Sequence, residues 1–89
     1  MQTIWKYTIK DIGPSRMETI DMPKGAKILS LQVQHGFPSL WALVNPDESD
    51  EMRYFKWYLT GDTVPDDPGE YIGTVQVSGG HFVAHMFEK

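Results

Sequence analysis

Two histidines stand four positions apart in GGHFVAHMF, residues 79 to 87, a spacing at which imidazoles can share a metal ion. On a helix, His81 and His85 would lie on one face, about 5 to 6 Å apart at Cβ, as in the H-E-x-x-H metalloproteases. On a strand they would share a face but stand about 13 Å apart, four rises of about 3.3 Å each. One zinc ion, with bonds of about 2 Å, does not span that gap. A metal-dependent hydrolase would then have to be assembled across strands, with His35, His81 or His85 meeting Asp62, Asp66 or Asp67. Nucleophilic chemistry has even less to work with. Ser30, Ser39, Ser49 and Ser78 lie outside any G-x-S-x-G elbow, and the chain has no cysteine. Asp66 and Asp67 sit in a Pro/Gly loop, where adjacent acids form a solvated turn more often than a catalytic pair. Gly79-Gly80 is not followed by a helix, so it offers no phosphate cradle.

Secondary structure decides between these readings, and the apolar periodicity is that of strands. In TIWKYTIK (3 to 10), Trp5, Tyr7 and Ile9 alternate with Lys6, Thr8 and Lys10. Gly13 and Pro14 turn the chain in DIGPSR (11 to 16), and METIDM (17 to 22) reads as the second arm of a hairpin. AKILSLQVQ (26 to 34) alternates again, with Leu29, Leu31 and Val33 on one face. HGFPS (35 to 39) reads as a turn. LWALV (40 to 44) is apolar on both faces, which places it centrally or at a subunit contact. MRYFKWYLT (52 to 60) is an aromatic strand of high β-propensity. YIGTVQVS (71 to 78) and HFVAHMFE (81 to 88) read as two strands joined by a two-residue primed turn at Gly79-Gly80. Seven strand-like runs without a helical period predict a single all-β domain, a small sandwich or barrel of about seven mostly antiparallel strands spanning residues 1–89. The tail is therefore extended, and the His81/His85 pair alone is no chelate.

Composition narrows the function further. Eight Lys plus Arg against twelve Asp plus Glu give a net charge of −4, which leaves no basic excess to displace counterions from a nucleic-acid backbone. The acids concentrate in PDESDE (46 to 51) and PDDPGE (65 to 70), both flanked by turn-formers. The chain has neither a signal-peptide pattern nor a run of apolar residues long enough to cross a bilayer, and without cysteine it suits a reducing cytoplasm. No membrane partner, cofactor, catalytic residue or metal ligand is expected.

Aromatic content points instead to recognition, with three Trp, four Tyr and four Phe in 89 residues. If Phe55, Trp57 and Leu59 face the core, Tyr54, Lys56 and Tyr58 form a surface stripe, and tyrosine beside a cation favours interfaces and planar ligands. The long Pro/Gly loop 61 to 70 is the candidate for a functional or lid-like segment. The predicted binding surface therefore combines Arg53, Tyr54, Lys56 and Tyr58 with Thr60 and Asp62, where the aromatic strand runs into that loop. The two-sided LWALV strand and exposed sheet edges favour a homo-oligomer.

Together, IWKY (4 to 7), MPKGAKILSLQVQ (22 to 34), LWALV (40 to 44), the Thr60-Gly61 step, YIGT (71 to 74) and GGHFVAHMFE (79 to 88) resemble a family of small uncharacterised proteins of bacteriophages, prophages and bacteria. Relatives are expected to read Thr-Gly-His where this chain has Thr60-Gly61-Asp62, a departure that weakens a metal site in that loop. The resemblance implies a non-enzymatic protein acting stoichiometrically in the host cytoplasm. It would bind a host protein or sequester a small signalling molecule to antagonise a bacterial defence system. A structural or assembly role in the virion, or the hydrolase outlined above, is the alternative.

Overall fold

In the computed structural model, which describes residues 1–10 and 12–89, the alternating pattern becomes seven strands. They are β1 (Thr3–Thr8), β2 (Met17–Pro23), β3 (Lys27–Gln34), β4 (Phe37–Val44), β5 (Asp50–Leu59), β6 (Glu70–Val77) and β7 (Phe82–Glu88). All pairings are antiparallel, in a three-stranded sheet ordered β1-β4-β3 and a four-stranded sheet ordered β2-β5-β7-β6. This is the all-β sandwich that the alternation predicts. No helix among the described residues is long and apolar enough to cross a membrane.

Alternation puts one face of each sheet into a shared core. Leu40, Ala42 and Val44 of β4 meet Phe55 and Trp57 of β5, with Ala84 and Met86 of β7, and all seven are fully buried. At about 25 cal/mol per Å² of apolar surface removed from water, this layer is the main source of stability. The sheets come closest where β3 lies against β6. A Cβ placed on Gly73 would sit 3.2 Å from Leu31 Cβ, so glycine admits the close approach. LWALV is indeed central, flanked by β1 and β3. Its second face carries Trp41 and Leu43, both only partly buried, and Lys6 of β1 reaches across that face to Gln34 Oε1 of β3 at 2.7 Å.

Four local expectations fail, each for a physical reason. β1 and β2 do not form a hairpin: β1 pairs with β4 and β2 with β5, so the connection between them crosses from one sheet to the other. Each of its ends is tied to the neighbouring strand of its own sheet: Ile9 N–H donates to the Pro38 carbonyl and Trp57 N–H to that of Arg16. Asp11, part of the DIGPSR turn, lies outside the described residues. The turn read over 35 to 39 contracts to His35-Gly36, both at positive φ (53° and 83°), the signature of a tight primed hairpin. By contrast, the residues around Gly79-Gly80 form a four-residue turn, Ser78 to His81, closed by His81 N–H to the Ser78 carbonyl. His81 thus precedes β7, while 82 to 88 is extended as expected. In β3 the register shifts between Ile28 and Ser30, so Ile28 turns inward beside Leu31 and Val33, while Leu29 is exposed.

The core contains one orphan that can be tested. The Tyr7 hydroxyl is buried and finds no hydrogen-bond partner among the described residues. Burial first, and the Asp50 carboxylate second, push its pKa above the usual phenol value, while Arg53 pulls it down. Since the neutral form is favoured in the fold, its stabilisation is complete below the unfolded pKa of about 10 and is lost as pH rises through the folded pKa. Tyr7→Phe should leave stability at pH 7 unchanged or higher by up to about 1 kcal/mol. It should also flatten the alkaline decline above about pH 10, read from denaturant titrations at pH 7 and pH 11.

Candidate functional site

The outer face of the four-stranded sheet carries four aromatic residues, Tyr54, Tyr58, Tyr71 and Phe87. Because β5 places Phe55 and Trp57 inward, Tyr54, Lys56 and Tyr58 point outward, as the alternation predicts. Cross-strand register then adds partners that no single segment reveals. Met17 of β2 stands opposite Lys56, Lys56 opposite Phe87 of β7, and Phe87 opposite Tyr71 of β6, so one row crosses all four strands. The next row sets Tyr58 opposite His85 and His85 opposite Thr74.

This face has a rigid layer and an exposed layer. Tyr58 is only 6 % exposed, so it supports the surface instead of presenting itself as sequence alone predicts. Phe87 packs edge-on against it at 5.7 Å between centroids, and the Lys56 ammonium lies 5.9 Å from its ring. Tyr71 meets the other side of Phe87, also edge-on, at 5.4 Å. Above this layer, Tyr54 is 47 % exposed and Tyr71 56 %, with Met17 and Met52 exposed nearby. The Tyr54 hydroxyl contacts Met52 Sδ at 3.2 Å.

A polar chain runs through the same face. Thr60 Oγ1 is 2.9 Å from His85 Nε2, Thr74 Oγ1 is 2.9 Å from His85 Nδ1, and the Tyr71 hydroxyl is 2.5 Å from Thr74 Oγ1. A threonine hydroxyl donates or accepts, so either tautomer of His85 is satisfied and its ring is fixed in place. Thr60, predicted as a contact residue, therefore orients this chain from the end of β5. His35 lies in the β3–β4 turn, His81 in the β6–β7 turn and His85 on β7. Among the described residues, no three His, Asp or Glu side chains gather as a metal would require.

Two predicted residues lie elsewhere. Arg53 shares the inward parity of Phe55 and Trp57. Its Nε and Nη2 donate to the Glu88 carboxylate at 2.5 and 2.7 Å, and its Nη1 to the Ala26 carbonyl at 2.5 Å, with both side chains 15 % exposed. The hydrogen bond to Glu88 outweighs burial and raises the guanidinium pKa further, so Arg53 is a fixed structural cation. Asp62 caps the turn after β5: its carboxylate accepts the Leu59 N–H at 2.8 Å and pairs with Arg16. Of loop 61 to 70, Glu70 borders a cleft beside Arg53 and Glu88, and none of its residues lines the cleft between Lys10, Phe37 and Phe82. Sequence reasoning found Tyr54 and Lys56 but missed Met17, Tyr71 and Phe87, since strand pairing alone brings them into one row.

No curated protein and no solved structure matches the chain. One family model does, over residues 1–89, and its description is Domain of unknown function (DUF7352). The all-β sandwich with its aromatic outer sheet face is thus a member of the DUF7352 family.

Proposed function

We propose that this chain is a non-enzymatic binding protein that docks a protein partner on the outer face of the β2-β5-β7-β6 sheet. The observation that carries this reading is the exposed Tyr54 and Tyr71, with Met17 and Met52, on the same sheet face as the packed layer of Tyr58, Phe87 and His85, against which Tyr71 rests. Tyrosines with few rotatable bonds, held on a rigid support, lose little entropy on binding and dominate interfaces. Exposed methionines add an adaptable apolar fringe. The resemblance to phage-borne proteins supports the setting: the host cytoplasm, with a host defence protein as the partner and stoichiometric antagonism as the outcome. A second copy of the chain is the competing occupant of this face.

Tyr54→Ala/Tyr71→Ala should weaken binding by 100-fold or more, on the order of 3 kcal/mol for two interface tyrosines. The melting temperature should stay within about 3 °C, since surface changes stay within about 0.5 kcal/mol. Calorimetry against the partner, with a thermal melt of each variant, reads both. Loss of stability with binding intact would return the two tyrosines to a structural role. Concentration-dependent self-association abolished by the same pair would replace the host protein with a second copy.

A further inference from the structure

The mouth of the sandwich, at the end where β5 and β6 finish and β7 begins, is crossed by the β1–β2 connection but not closed by the described residues. Phe82 sits on the inward side of β7 with Ala84 and Met86, which are fully buried, yet Phe82 is 51 % exposed. Leu59 continues the Phe55–Trp57 face and Val77 the Val75 face in the same way, each only partly buried where its neighbours are closed over. With Phe37 they line a cleft of about 580 Å³ between the sheets, within the range of small-molecule sites.

The two charged residues that line this cleft, Lys10 and Arg16, are both cations, although Arg16 is ion-paired to Asp62 beside it. Lys10 has no partner among the described residues, and the carboxylate of Asp62 that meets Arg16 is shared with the Leu59 N–H. Acidic residues gather at the opposite end: β4 runs from Phe37 at the mouth to Val44, so the acidic turn of residues 46 to 51 lies beyond the far end of the sheet. Glu70 and Glu88, paired across β6 and β7, stand at that far end as well. A chain of net charge −4 therefore holds its apolar opening beside Lys10 and the ion-paired Arg16, with half of its twelve acids at the far end.

The geometry points to a binding site for a flat apolar anion, such as an aromatic carboxylate, sulfonate or phosphate ester. Its ring lies against Phe37 and Phe82, and its charge meets Lys10 and the free donors of Arg16. This site is independent of the outer sheet face and stands or falls without it.

Naphthalene-2-sulfonate and its neutral counterpart 2-naphthylmethanol, titrated into the whole chain and followed by amide chemical shifts, test the site directly. The sulfonate should bind saturably and more tightly than the alcohol, with shifts confined to residues 10, 12 to 16, 36 to 38, 59 and 77 to 82. Lys10→Ala should weaken the sulfonate about fivefold and leave the alcohol unchanged. Phe82→Ala should weaken both. Equal affinity for the two probes, no effect of Lys10→Ala, shifts on the outer face, or no saturable binding would each overturn the assignment. Lys10 is exposed, so its variant keeps the test decisive even if Phe82→Ala fails to fold.

Discussion

Gly69→Ala should destabilise the chain by about 4 kcal/mol and lower its melting temperature by roughly 20 °C. Gly69 has φ +95°, where a side chain is strained, and a Cβ built there would lie 2.1 Å from the Glu88 carbonyl oxygen and 3.2 Å from Lys89 Cα. Both obstacles are backbone, so no rotamer change relieves them. Strain and overpacking each cost about 1 to 3 kcal/mol, and together they take a large part of the 5 to 15 kcal/mol typical of a domain. The loop 61 to 70 is thus pinned at its C-terminal end, which argues against a lid hinged there. Differential scanning calorimetry of the variant checks the value; a melting temperature within about 5 °C of the parent would show that the β7 terminus yields freely.

Arg53→Met should cost about 3 kcal/mol, although Arg53 is among the residues that sequence assigns to a binding surface. Methionine keeps the stem and removes the fork that holds Glu88 through two hydrogen bonds and Ala26 through a third. The carboxylate, 15 % exposed, is left without its cation, and the loss comes chiefly from that stranded charge. Partial exposure keeps the figure at the low end of the range for broken buried pairs. Arg53→Met/Glu88→Leu removes both charges and should recover at least half of the loss. Chemical denaturation of the two variants reads the difference. If the double variant is as unstable as the single one, the fork to Ala26 and the packing of the stem matter more than the charge pair.

Much of the fold is legible in the chain because strand alternation is a local property. Trp5 with Tyr7, Leu40 with Ala42 and Val44, and Phe55 with Trp57 each declare a face within a few residues. Pairing is not local. DIGPSR reads as a hairpin turn, yet it joins strands of different sheets, because β4 and β5, more than twenty residues further on, supply the edges on which β1 and β2 close. The bulge at Leu29 is hidden too, since Ile28, Leu29 and Leu31 are equally apolar and the pattern does not say which one the register skips.

The candidate site divides along the same line. Tyr54 and Lys56 point outward because Phe55 and Trp57 point inward, which the strand alone dictates. That Tyr58 is covered while Tyr71 is exposed depends on Phe87 and His85 arriving from β7. Arg53, assigned to the binding surface on sequence, shares the parity of Phe55 and Trp57, and Glu88 receives it on the inward side. Asp62 was drawn to the loop and instead closes the turn with Arg16 and Leu59.

The most direct test of the outer face is a photo-crosslinking comparison in bacterial cells that express the chain. Benzoylphenylalanine replaces Tyr54 in one variant and Gln32, exposed on the outer side of the other sheet, in the second. The binding account predicts one protein adduct, stoichiometric and abundant, from position 54 and none from position 32. Equal adducts from both positions, or none from position 54 in cells where the chain is active, would contradict it.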